Sequence, residues 1–215
     1  MTRTYYIIAV GLIAAVLVAT AVTYPHLPAA VPTHWDAHGN VNGWSARWTL
    51  FVIDPAIMAG LLLVFAVLPW LSPKHFEVDS FRSTYLYIMV AILAMVAYIH
   101  GLILAAGLSW AIDTTRAVEG GVCLLIALLG NVMGKVRRNF YVGIRTPWTI
   151  ANEQVWNATH RFAAKTMFAG GVLGLIAAIL GAPFWLPITM ILVATLLPAI
   201  HSLVLYKQLE RRGEL

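Results

Sequence analysis

The sequence predicts an all-α, multi-pass membrane protein with six transmembrane helices and both termini on the cytoplasmic side. Composition is the first observation behind this prediction. The 215 residues are 60% hydrophobic and only 11% charged, and their mean hydropathy is +0.81, whereas soluble domains carry about 25% charged residues. A chain this apolar cannot maintain a hydrated surface, so we interpret residues 1–215 as a single membrane domain.

Six apolar segments are the second observation, because each is long enough to cross a hydrocarbon core of about 30 Å. The predicted spans are residues 5–24, 50–71, 84–108, 116–133, 165–181 and 184–206. The second span begins near Leu50, or at Asp54 if this carboxylate caps the helix and Pro55 is its first residue. Glycines Gly170, Gly171 and Gly174 in the fifth span predict close approach of a neighbouring helix.

The distribution of cations is the third observation and sets the orientation. If the amino terminus is cytoplasmic, 12 of the 14 Lys and Arg residues lie on the cytoplasmic side, and only Arg47 and Arg116 lie outside. This bias follows the positive-inside rule. It also accounts for the net charge of +5, so we expect no direct contact with nucleic acid.

The first loop, residues 25–49, is predicted to face outward. Three prolines within it disfavour a helix and favour an extended path. The dipeptide Asn42-Gly43 predicts a turn. His34 and His38, with His26 as a third ligand, are candidate metal ligands. However, the flanking sequence does not predict the helix that this spacing would need, and a hydrogen-bonded role at the interface is the competing interpretation.

The second long loop, residues 134–164, is predicted to be cytoplasmic. With its flanks it reads GNVMGKVRRNFYVGIRTPWTIANEQVWNATHRFAAK and contains six of the 14 cations. Thr149 or Asn152 is expected to cap a short amphipathic helix that lies in the membrane interface and leads into the fifth span. The cations could simply anchor the loop. The variety of polar and aromatic residues favours a folded recognition surface instead.

Four polar residues fall within the predicted spans or at their ends, where polar groups are costly and often functional. They are His100, Glu119, Asn131 and His201. A path for proton transfer would need at least two of them in contact. Hydrogen bonding between helices is the alternative.

The central stretch resembles the signature of the SdpI family of bacterial immunity membrane proteins. The first loop resembles the amino-terminal domain of unknown function found in that family, through Tyr24-Pro25, Leu27-Pro28, Val31-Pro32, His34-Trp35, Gly39 and Trp44. The family pattern commonly has glycine after His160-Arg161, where this chain has Ala163-Ala164, which are also small.

This resemblance implies candidate binding residues on both sides of the membrane. In the cytoplasmic motif they are Asn131, Lys135, Asn139, Gly143, Arg145, Thr146, Pro147, Trp148, Trp156, His160 and Arg161. In the outer loop they are Pro28, Pro32, His34, Trp35, Gly39 and Trp44.

The resemblance also implies a function: immunity to a secreted, membrane-active peptide toxin at the bacterial cytoplasmic membrane. A relay through a cytoplasmic transcriptional repressor is implied as well. We expect no catalytic residues and no cofactor; the lipid bilayer, the toxin and the repressor are the expected partners. Two alternatives remain open, a small-molecule or ion transporter and a membrane metal-binding protein or enzyme that uses the outer-loop histidines.

Overall fold

A computed structural model describes residues 2–74 and 76–215. Within these residues, six helices are long and apolar enough to cross a membrane, which confirms the predicted fold class. They are α1 (Thr2–Thr23), α2 (Ile53–Val67), α3 (Arg82–Gly107), α4 (Thr114–Met133), α6 (Glu153–Ile179) and α7 (Trp185–Arg212), with a short α5 (Pro147–Ala151) directly before α6. Single 3₁₀ turns, Arg47–Phe51 and Leu68–Leu71, flank α2 at its two ends.

A β-hairpin occupies the first loop. Strands β1 (Ala30–Trp35) and β2 (Val41–Ala46) pair antiparallel, with Pro32 opposite Trp44. The turn between them lies at 36–40, so the turn predicted at Asn42-Gly43 is wrong, since both residues belong to β2. The reason is the Asp36 carboxylate, which binds the backbone N–H groups of His38 (2.8 Å) and Asn40 (2.9 Å) and closes the turn there.

The two ends of the bundle differ in chemistry, and we name them for what they carry. The hairpin face contains residues 24–52 and the connections after α3 and α6. The basic face contains both chain ends, the α2–α3 connection and the loop at 134–146, which we call the basic loop. The two faces correspond to the outer and cytoplasmic sides expected from the charge distribution.

Helix α6 packs extensively against α4 and α7, whereas α1 packs mainly against α3. Gly171 shows why α6 approaches so closely: a Cβ there would lie 2.5 Å from the backbone nitrogen of Ala127 in α4. At Gly174, a Cβ would lie 2.8 Å from Cys123 Sγ. These contacts confirm the close approach predicted for the fifth span, because side chains larger than hydrogen would separate the helices.

In the part of the chain that the structure describes, two buried clusters form the interior, and apolar side chains also cover the outside. Tyr85, Met89 and Trp156 belong to the larger cluster, while Leu27 and Val31 of the hairpin region pack with Ile103 of α3 in the smaller one. Large apolar side chains are exposed along the helices; examples are Ile7, Val18, Leu63, Ile179 and Leu196. An exposed apolar surface of this kind suits a lipid environment.

Two helix starts differ from the sequence prediction. Asp54 does not cap α2, since the residue at the N-cap is Val52, which makes no capping hydrogen bond with its side chain. Helix α6 begins at Glu153, not at 165, because the Asn152 side chain accepts the Val155 N–H (3.0 Å) and the helix continues unbroken into the span. The predicted cap at Asn152 is therefore confirmed, and the expected short interfacial helix is the first part of α6.

Candidate functional site

Asn139 organises the basic loop from within. Its side-chain amide donates to the carbonyls of Arg137 (2.7 Å) and Val142 (3.0 Å), and its carbonyl oxygen accepts the N–H groups of Tyr141 (2.7 Å) and Val142 (2.8 Å). The residue is fully buried. Both donor hydrogens and the acceptor are thus used on the loop's own backbone, which fixes its conformation.

His160 and Trp156 fasten the same loop to α6. Trp156 donates its indole N–H to the Val136 carbonyl (2.8 Å). His160 Nε2 accepts the Ile144 N–H (3.0 Å), and its Nδ1 contacts the Trp156 carbonyl (2.8 Å). Because a carbonyl only accepts, Nδ1 carries the hydrogen and Nε2 carries none, so the imidazole is neutral.

Gly143 lies directly against this histidine. Its backbone has φ +111°, and a Cβ at this position would collide with His160 Nε2. Glycine is therefore needed at 143 both for the backbone conformation and for the space that the imidazole occupies.

Thr146 joins the basic loop to α5 and to α7. Thr146 and Thr149 form reciprocal side-chain to backbone bonds at the start of α5, with Pro147 in its first turn. The Thr146 hydroxyl also contacts the Ser202 hydroxyl of α7 at 2.9 Å. Arg145 donates to the Phe140 carbonyl while remaining exposed to solvent.

Arg138 links the basic loop to the connection between α2 and α3. Its guanidinium lies 5.1 Å from the centroid of the Phe76 ring and donates to the Ile150 carbonyl at 3.3 Å. The Phe76 ring in turn packs against Phe140, with 4.2 Å between centroids. These contacts therefore join the basic loop, the α2–α3 connection and α5.

The remaining motif residues lie at the surface of the basic face. Asn131, Lys135, Pro147 and Arg161 are exposed, and Trp148 is half-buried. The motif thus contains two groups: residues that hold the loop together and residues that the fold presents outward. The sequence did not distinguish these groups.

The hairpin face collects the outer-loop motif. Val31 and Pro32 are buried and Trp44 is 62% exposed, while His34 Nδ1 contacts the Asn42 side-chain oxygen. The backbone N–H and side-chain amide of Asn40 lower the pKa of Asp36 below its ordinary value. Among the described residues, no three His, Cys, Asp or Glu side chains are grouped as a metal site, so the structure does not bring His26, His34 and His38 together.

The proposed polar path through His100, Glu119 and His201 does not form among the described residues. His100 instead contacts Asp54 of α2 and Thr20 of α1, both at 2.7 Å. Within the residues that the structure describes, Glu119 Oε1 and His201 Nδ1 are buried without a hydrogen-bond partner. Sequence reasoning missed Thr20, and it considered Asp54 only as a possible helix cap; a carboxylate at the start of an apolar span was the available signal.

An apolar cavity of about 520 Å³ lies between α3, α4 and α6. Small residues such as Ala94, Gly120 and Gly121 line it, and Asp113 and Arg116 lie at its end on the hairpin face. Tyr98 links α3 to α4, because its hydroxyl donates a hydrogen bond to the Ala117 carbonyl (3.0 Å).

Comparison with known proteins identifies two protein families and one curated protein that are similar to this chain. Residues 135–202, which include most of the basic loop, α6 and much of α7, match the SdpI/YfhL protein family. Residues 11–59, which include most of α1, the hairpin and the start of α2, match a domain of unknown function, DUF1648. Immunity protein SdpI of Bacillus subtilis (strain 168) is 25% identical to the chain over 205 residues, which are 94% of this chain and 96% of that protein.

The chain is a multi-pass membrane protein that is similar to SdpI. The predicted resemblance is confirmed, because the family match covers the basic loop and the similarity to SdpI extends over nearly the whole chain. No solved structure gives a significant match. The region that matches the SdpI/YfhL family supplies the basic loop, whereas the DUF1648 region supplies the hairpin together with Thr20 and Asp54.

Proposed function

We propose that this chain is an immunity protein of a bacterial cytoplasmic membrane that protects the cell from a secreted, membrane-active peptide toxin, and that it is not an enzyme. The similarity to Immunity protein SdpI along 94% of the chain carries this proposal. Because the similarity includes both the hairpin and the basic loop, both faces take part in the proposed role.

Exposed aromatic side chains on the hairpin face support contact with such a peptide. Trp44 and Trp48 are 62% and 59% exposed, and Trp110 after α3 is 63% exposed. Indole rings offer apolar area together with an N–H donor, which suits a peptide that enters the headgroup layer. The apolar cavity that starts near Arg116 offers room for apolar side chains of the peptide.

Exposed cations on the basic face support the proposed relay. Lys135, Arg137 and Arg161 are exposed, whereas Asn139, Trp156 and His160 are buried and hold the loop together. A cytoplasmic repressor with an acidic surface would complement these charges. A relay also requires two arrangements of the bundle that the toxin and the repressor favour differently, and the cavity between α3 and α4 leaves space for such a change.

Toxin challenge tests the proposal directly. The chain is expressed in Bacillus subtilis lacking its own SdpI, and survival is measured after addition of a secreted, membrane-active peptide toxin that kills this strain. We expect the wild-type chain to restore survival and the Trp44→Ala, Trp48→Ala double variant to lose most of it. Trp70→Ala is the matched control, because Trp70 is 86% exposed but lies on the basic face. Absence of protection by well-expressed wild type would refute the proposal.

A further inference from the structure

Three membrane helices meet at a buried group of polar side chains beneath the hairpin. His100 of α3 contacts the Thr20 hydroxyl of α1 through Nε2 and the Asp54 carboxylate of α2 through Nδ1, each at 2.7 Å. The Thr20 hydroxyl also lies 2.9 Å from the Val16 carbonyl. The side chain of His100 is 1% exposed, whereas that of Asp54 is 16% exposed.

The number of available hydrogens determines which atom donates in each of the contacts Thr20–Val16, Thr20–His100 and His100–Asp54. A hydroxyl has one hydrogen, and the Val16 carbonyl can only accept, so the Thr20 hydrogen points to Val16. Thr20 must then accept a hydrogen from His100 Nε2. The short contact between Nδ1 and the Asp54 oxygen needs a hydrogen of its own, because neither a bare nitrogen nor a carboxylate oxygen can donate.

All three contacts are therefore satisfied only when His100 and Asp54 together hold one proton more than a neutral imidazole and a carboxylate. We propose that Thr20, Asp54 and His100 form a proton-binding site within the membrane domain. Because an imidazole is more basic than a carboxylate, we assign the bound proton to His100, and the site is then an imidazolium–carboxylate pair with no net charge. Without it, a single carboxylate remains in apolar surroundings and one contact lacks its hydrogen, both of which are costly.

No other ion competes for this pair in the described part of the chain. His100 and Asp54 make a salt bridge with each other alone. Arg47, seven positions before Asp54, donates instead to the carbonyls of Tyr24 (3.2 Å) and Leu27 (2.8 Å) and covers the Tyr24 ring. In the hairpin, Asp36 and His34 bind within their own turn and strand, and His34 and His38 are exposed.

The position of the site gives the bound proton a structural role. It links α1, α2 and α3 at their hairpin ends, next to the cluster in which Leu27 and Val31 pack on α3. Asp54 is the more exposed partner, so a proton from the hairpin face reaches the carboxylate first. Loss of the proton would weaken the link between α1 and α3 and loosen the support of the hairpin. This role does not depend on the proposed immunity function.

Nitrogen-15 NMR of histidine-labelled protein in lipid nanodiscs tests the site, with the His100 signal assigned by its absence in His100→Asn. At neutral pH an unpaired histidine, with a pKa of about 6.5, is mostly uncharged. We expect His100 in the wild type to carry hydrogens on both ring nitrogens at that pH. A neutral His100 in the wild type would overturn the proposal without reference to any variant.

Asp54→Asn and Asp36→Asn make the same chemical change at two places. Comparing them distinguishes an effect at the proton-binding site from a general effect of removing a carboxylate. In Asp54→Asn the new amide can donate to Nδ1, so His100 should become neutral with its single hydrogen on Nε2, which still donates to Thr20. Asp36→Asn is the matched control, since it removes a carboxylate of the hairpin turn and should leave the His100 signal unchanged. A doubly protonated His100 that persists in folded Asp54→Asn would also overturn the proposal. Helical content and monodispersity establish that each variant is folded.

Discussion

The imidazole of His160 stacks on the indole of Trp156 with 4.1 Å between ring centroids and 18° between ring planes. Both side chains come from the first turns of α6, and both are almost completely buried. Each also binds the backbone of the basic loop, Trp156 at Val136 and His160 at Ile144. The stacked pair therefore fixes the basic loop relative to α6. The conformation of the loop depends on the space beside His160.

Gly143→Ala is expected to destabilise the protein by about 1–3 kcal/mol, the usual range for a strained backbone conformation. The substituent would meet His160 Nε2, and φ at this residue is +111°. Thermal unfolding in detergent measures the effect. The control is Gly60→Ala in α2, where nothing lies within 4 Å of the new Cβ; there, higher helix propensity should leave stability unchanged or raise it. Equal melting of the two variants would contradict the described contact at 143.

The basic loop illustrates how far sequence reasoning extends. Charge placement and the family resemblance identified this stretch correctly as a distinct feature. They did not predict that Trp156 is buried, because Trp beside a basic loop is typical of the headgroup layer. The sequence did indicate a cap at Asn152, but not the Val136 carbonyl that accepts the indole hydrogen. The second contact joins positions 20 residues apart, which local patterns do not reveal.

The group at Thr20, Asp54 and His100 was not predictable for a different reason. A helix that is apolar on all sides has no polar stripe to indicate which side faces its neighbours. The sequence therefore located six spans but gave no rotation for α1, α2 or α3. The hairpin was likewise missed as a pair of strands, since its register depends on the Asp36 turn and on packing of Val31 against α3.

Acid is expected to loosen the hairpin turn through Asp36. Hydrogen bonds from Asn40 lower the pKa of Asp36 from its ordinary value of 3.8. A carboxyl whose folded pKa is depressed contributes stability that is fully present above the unfolded value and is lost as the pH falls through the folded value. The amide NMR signals of His38 and Asn40 should therefore shift together below the ordinary pKa. In Asp36→Asn that acid-dependent shift should be absent; its persistence would assign it to another group.

Opposite accessibility of the two faces is expected in intact bacteria. Ala37 on the hairpin turn and Gln154 at the start of α6 are both exposed, and neither caps a turn or helix. Single cysteines at these positions are introduced with Cys123→Ala, which removes a buried thiol without adding volume beside Gly174. An impermeant thiol reagent should label position 37 in intact cells and position 154 only after lysis. Labelling of 154 in intact cells would reverse the orientation predicted from the cations.

Arg145→Lys is expected to preserve insertion and topology but to lose most protection in the toxin challenge. If the basic loop serves only as an anchor, any cation should suffice at 145, because anchoring depends on charge. The guanidinium instead donates to the Phe140 carbonyl while remaining exposed. Arg offers five donors in a planar fork, so it can hold this carbonyl and still present donors to a partner, whereas Lys is a point charge.

Trp148→Phe is the comparison variant for Arg145→Lys, since Trp148 lies on the other side of Thr146-Pro147 and is half-buried. Phenylalanine retains an aromatic ring and removes the indole N–H, so we expect a smaller loss of protection. Membrane levels of both variants must equal those of the wild type, because a destabilised bundle would also fail to protect. Full protection by Arg145→Lys at equal level would leave the exposed part of the basic loop as an anchor and would remove the guanidinium from the proposed recognition surface.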